Sequence, residues 1–79
     1  MLDYNEPRNR LKEMRAETVR AYESINPVKI RDRIKELEAI QNADGFWDDP
    51  DNAKKVSKEI SQLQSKIEKF EKMIARIDD

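Results

Sequence analysis

Between Ala53 and Ile77 the apolar residues Ala53, Val56, Ile60, Leu63, Ile67, Phe70, Ile74 and Ile77 follow one another at alternating steps of three and four. That spacing is the a/d stripe of a heptad repeat, and it commits the stretch to a helix whose single apolar face needs a partner. The positions between are polar or charged, with only Met73 and Ala75 departing. Asp49 is placed to cap the helix, Pro50 suits the first helical position, and Asp51 sits favourably against the helix dipole. The spacing predicts a helix from about Pro50 to Ile77, roughly 40 Å long.

A second helix is expected after Asn26-Pro27, again a cap followed by Pro, with Ile25 and Ile30 spaced as a hydrophobic staple. Its inner face is Ile30, Ile34 and Leu37, and it should stop near Ile40 or Gln41, before the turn-rich Asn42-Ala43-Asp44-Gly45. A first helix, from about Pro7 to Glu23 with Asn5 as its cap, carries a weaker stripe of Leu11, Met14, Thr18, Ala21 and Tyr22, with Val19 beside it. Short connections favour antiparallel neighbours, so the first and second helices are expected to form one hairpin and the second and third another. The expected fold is therefore all-α: one domain over residues 1–79, an elongated three-helix bundle of antiparallel hairpins with a coiled-coil-like long third helix. The third helix, being the longest, is expected either to project beyond the others or to be covered by the N-terminal segment.

Composition narrows function mainly by exclusion. A chain of 79 residues can bury only a narrow core. With no His and no Cys, the commonest acid/base group, the thiol nucleophile and the soft zinc ligands are all missing, so no catalytic residue, metal site or cofactor is expected. Sixteen Lys and Arg against 17 Asp and Glu leave a formal net charge of -1, so there is no global field to attract nucleic acid. Met1 to Pro7 has neither a basic n-region nor an apolar h-region, and no apolar run approaches a bilayer span; a cytoplasmic protein without membrane contact is expected.

Four features invite a functional reading, and each has a plainer one. The connector Asp44-Gly45-Phe46-Trp47-Asp48-Asp49-Pro50 concentrates the single Gly, the single Trp and several carboxylates. Asp48 and Asp49 lack the alternation and the bidentate Glu of a calcium loop, so the expectation is structural: Asp49 caps, while Phe46 and Trp47 close the hairpin end of the core. Glu13/Glu17 and Asp32/Glu36 lie four apart, but as solvated surface pairs without a pocket. Arg8, Arg10, Lys12, Arg15, Lys29, Arg31, Arg33 and Lys35 could form a phosphate-contacting stripe, yet interleaved Glu13, Glu17, Asp32 and Glu36 favour a mixed solvated face. Finally, the heptad stripe could be a homodimer seam with Ile60, Ile67 and Ile74 at a positions; the complementary face on the second helix favours pairing within the chain.

One set of residues carries a resemblance: Ile34, Leu37-Glu38, Phe46-Trp47-Asp48-Asp49-Pro50, Ala53, Val56, Lys58-Glu59 and Leu63. Over residues 34 to 63, and more loosely over the whole chain, this pattern resembles the N-terminal domain of bacterial peptide chain release factor 2. Ala43-Asp44-Gly45 stands where many relatives carry a Pro before the aromatic pair, a departure bearing on the rigidity of the turn. The family's codon-reading tripeptide and its Gly-Gly-Gln loop are not here, and a single Gly rules the latter out, so no family site residue transfers to this chain. The resemblance implies a non-catalytic docking domain whose partners are the ribosome, through the protein at the base of the large-subunit stalk and nearby ribosomal RNA, and the remaining domains of the same factor. It further implies a monomer in isolation. The alternative is a stand-alone coiled-coil adaptor or homo-oligomerisation module. The expected core is Leu11, Met14, Ile25, Ile30, Ile34, Leu37, Phe46, Trp47, Val56, Ile60, Leu63, Ile67 and Phe70.

Overall fold

The computed structural model describes residues 6 to 78. These form α1 (Glu6–Ser24), α2 (Pro27–Gln41), a single 3-10 turn (Phe46–Asp48) and α3 (Pro50–Asp78). The expected boundaries hold to within a residue or two; the proposed cap Asn5 lies outside the described residues. The fold class is all-α, drawn out into a rod of 67 × 17 × 16 Å.

A cross-section of 17 × 16 Å accommodates two helices, not three. α1 and α2 both pack on α3 and have no substantial interface with one another, so the expected α1–α2 hairpin is replaced by two helices laid end to end along α3. Both run antiparallel to it. Arg15 of α1 reaches Asp78, Tyr22 meets Phe70, Arg33 of α2 reaches Glu59, and Gln41 meets Ser57. The first strand of the rod is thus one broken helix, and the break has a chemical cause. Pro27 has no N–H to continue the ladder and disfavours helical geometry in the residue before it. Asn26 takes up the strain at φ 57°, ψ 70°, a left-handed conformation that Asn tolerates better than most residues. Its N–H closes α1 by donating to the Glu23 carbonyl at 3.0 Å, and its Oδ1 opens α2 by accepting from the Lys29 N–H at 3.4 Å. One residue is both the end of one helix and the cap of the next.

The core lies along α3 and is densest at the α2 end. Ala53, Ile60 and Ile67, consecutive a positions, are buried with Leu37 and Phe46; Leu37, at 2% exposure, is the most enclosed. Ile25, Ile30, Ile34, Val56, Leu63 and Phe70 are half-buried, because a two-helix rod covers only one side of each. Leu11 and Met14 do not join the core: they are 50% and 49% exposed. With Arg15 already opposite Asp78, the turns of α1 before it lie past the last described turn of α3, so their apolar side chains have nothing described to pack on. The projecting end is therefore that of α1, not of α3.

Candidate functional site

The connector between α2 and α3 is built as a capped turn. The Asn42 N–H donates to the Glu38 carbonyl at 3.1 Å, and Gly45 then adopts φ 79°, reversing the chain. The Phe46 N–H donates to the Ala43 carbonyl and the Asp48 N–H to the Gly45 carbonyl, at 3.2 and 3.1 Å. Asp49 starts α3 as expected, its Oδ1 accepting from the Asn52 N–H at 3.2 Å. Among the described residues no group of three or more Asp or Glu is arranged to hold a metal ion.

Trp47 corrects the expected core. Phe46 is buried, but Trp47 is 66% exposed, its ring held edge-on to Phe46 with centroids 4.8 Å apart at 87°. A 3-10 turn advances about 120° per residue, so two consecutive side chains cannot both enter a core only one helix deep. The smaller ring goes in and the indole stays outside.

Half of the expected basic stripe of the first two helices is engaged in ion pairs; Arg8, Lys12, Lys29 and Lys35 make none among the described residues. Arg10 pairs with Glu6 at 3.6 Å within α1. Arg15, Arg31 and Arg33 each cross to a carboxylate of α3, at 2.6 Å from Asp78, 2.5 Å from Glu71 and 2.8 Å from Glu59. Hydrogen bonding to Asp78 raises the pKa of the Arg15 guanidinium, and bonds to Glu59 and Glu36 raise that of Arg33. The bond from Arg33 in turn lowers the pKa of Glu59. Tyr22 adds a hydroxyl donated to Glu71 at 3.5 Å. Every one of these interhelical ion pairs sets an Arg of the first strand against an acid of α3. That polarity suits pairing within the chain, and α3's apolar seam is occupied by α1 and α2. Asp32/Glu36 and Glu13/Glu17 stay on exposed surface, with Glu36 engaged by Arg33 at 3.3 Å. A shallow depression is lined by Arg31, Ile34, Gln64, Ile67 and Glu68.

No protein-family model matches the chain, and no solved structure matches it. Individual proteins do. Peptide chain release factor 2 of Corynebacterium aurimucosum is 37% identical over 70 residues, 89% of this chain and 19% of that protein. The release factor 2 of Corynebacterium diphtheriae is 42% identical over 55 residues, 70% of this chain and 15% of its own length. That of Clostridium perfringens is 36% identical over 75 residues, 95% of this chain and 19% of its own. The chain is homologous to a domain-sized segment of peptide chain release factor 2. It spans under a fifth of the length of these relatives, and with Gly45 its single glycine the segment contains no Gly-Gly-Gln. None of its described helices is long and apolar enough to cross a membrane.

The sequence reading missed the outward face of α3. Once its seam is fixed at Ala53, Val56, Ile60 and onward, the opposite positions are Lys55, Lys58, Gln62, Ser65, Lys69, Lys72 and Arg76, all exposed. The same heptad that located the core would have located them.

Proposed function

We propose that this chain is a non-catalytic docking domain of a translation release factor, binding the ribosome and thereby positioning the rest of the factor. The observation that carries this is the homology to release factor 2 over nearly the whole chain, on a fold that is a slender charged rod. A rod whose seam is filled by its own helices offers surface rather than cavity, which suits binding a large partner rather than turning over a small one. The resemblance in the Phe46-Trp47-Asp48-Asp49-Pro50 turn points to the first domain of the factor, and through it to the base of the large-subunit stalk as the docking place. The cytoplasm is where such a domain would act.

The test is a reconstituted termination reaction. Added in excess, the chain alone should release no peptide from stop-codon-programmed ribosomes, and should slow release by intact release factor 2 through competition for its dock. Peptide release by the chain itself, or unchanged release by the factor at saturating chain, overturns the reading.

A further inference from the structure

The charges of α3 are sorted by face. Residues 54 to 76 carry seven Lys or Arg against three carboxylates. Two of the three, Glu59 and Glu71, stand beside the seam and are held by Arg33 and Arg31. On the opposite side, Lys55, Lys58, Gln62, Ser65, Lys69, Lys72 and Arg76 follow one another at the same steps of three and four as the core, and all are exposed. One step before Lys55 the same series carries the exposed acid Asp51; from Lys55 to Arg76 it carries none, runs roughly 30 Å along the helix, and its cations make no ion pair among the described residues. Two carboxylates flank it, Glu68 on one side and Glu59, held by Arg33, on the other; Lys54 and Lys66 flank it as well. No comparable face exists on α1 or α2, where acids and bases alternate and four of the arginines are engaged.

We propose that the outward stripe of α3, Lys55, Lys58, Gln62, Ser65, Lys69, Lys72 and Arg76, binds the phosphate backbone of structured RNA. This deepens the docking reading and rests on it, naming the chemistry of the surface that the rod presents. The side-chain inventory favours phosphate over protein. Lys is depleted at the centre of protein–protein interfaces, whose energy comes from aromatic and apolar anchors, and the stripe has none. Lysines on flexible stems with interspersed Gln and Ser donors are the groups that contact phosphate and sugar without reading bases. A straight face without a protruding loop or stacking ring suits a duplex recognised by shape rather than splayed single strands. Sorting also lessens the obstacle raised by the net charge of -1, since Glu59 and Glu71 of α3 are engaged by Arg33 and Arg31.

The test is fluorescence anisotropy of the 79-residue chain with a labelled RNA duplex of about 16 base pairs and arbitrary sequence. K58Q/K69Q/K72Q is compared with K12Q/K29Q/K35Q, which removes the same charge from α1 and α2, both with helical content and melting midpoint measured alongside. The stripe variant should bind about tenfold more weakly at low salt, with a salt slope shallower by about two to three, and the control should stay within about twofold. Equal losses in the two variants, or binding of polyglutamate as tight as that of RNA, overturn the proposal. Pelleting each variant with ribosomes separates it from the reading beneath. A stripe variant that loses RNA but still pellets like wild type overturns the stripe as the docking face and leaves docking intact. Stripe-dependent RNA binding by a chain that never pellets upholds the stripe and ends the docking reading.

Discussion

The two ends of the rod are held by different physics. At the α2 end, Leu37, Phe46, Ala53 and Ile60 are buried together, and both helix termini at the turn are capped. At the α1 end no side chain of α1 is buried; it is attached by the Arg15–Asp78 pair, the Tyr22–Phe70 ring contact at 5.9 Å and half-buried Thr18 and Val19. Buried apolar area is worth far more than exposed ion pairs, whose median contribution is about 0–1 kcal/mol. The α2–α3 hairpin is therefore the stable unit, and α1 is an arm laid along it beyond the Asn26-Pro27 break.

Mutations should expose this contrast, beginning with the core. Phe46→Ala should cost about 3–5 kcal/mol and Leu37→Ala about 2–5 kcal/mol, much of what so small a domain holds. Leu11→Ala and Met14→Ala should stay within about 0.5 kcal/mol. Urea denaturation decides: a Met14→Ala loss as large as that of Leu37→Ala would mean that α1 is packed as tightly as α2. Next come the two left-handed residues. Gly45→Ala should cost about 1–2 kcal/mol, because a Cβ at φ 79° is strained. Asn26→Ala should cost about 1 kcal/mol through the lost cap and the strained φ, and Asn26→Gly much less; equal losses would place the cost elsewhere.

Trp47→Ala should shift the melting midpoint by no more than about 2–4 °C, within about 0.5 kcal/mol, and the wild-type indole should be readily quenched by acrylamide. A protected indole and a large loss would return Trp47 to the core. The smallest effect is electrostatic. Glu59 has its pKa lowered from the model-peptide value of 4.5 by Arg33, so the pair's contribution is complete above that value and lost as pH falls through the lower folded one. Glu59→Gln should therefore lose a little stability at neutrality and converge with wild type in acid, flattening the profile below pH 4.5, and an unaltered acid profile would show the pair to be inert.

Much of this was written in local signals. Pro50 and Pro27 at first helical positions, the α3 heptad and the Asn42–Gly45 turn each act within a few residues, and the helix boundaries follow from them. What the sequence did not disclose depends on how elements meet. Leu11 and Met14 read as core because their spacing is right; whether a helix stands opposite them is set by register along α3. A short α1–α2 link suggests a hairpin, yet the left-handed geometry of Asn26 gives a bend along one path. Phe46 and Trp47 look equivalent until a 3-10 turn sends them in different directions. The arginines of α1 and α2 look like a basic stripe until Arg15, Arg31 and Arg33 are matched with acids on α3, whereas the cations on the far side of α3 make no ion pair among the described residues.

The most direct test of the central claim is sedimentation of the chain with purified ribosomal subunits through a sucrose cushion at physiological salt. The account predicts that it pellets with large subunits, is displaced by intact release factor 2, and stays in the supernatant with small subunits. A chain that remains in the supernatant with large subunits, or that pellets equally with both and is not displaced, would contradict it.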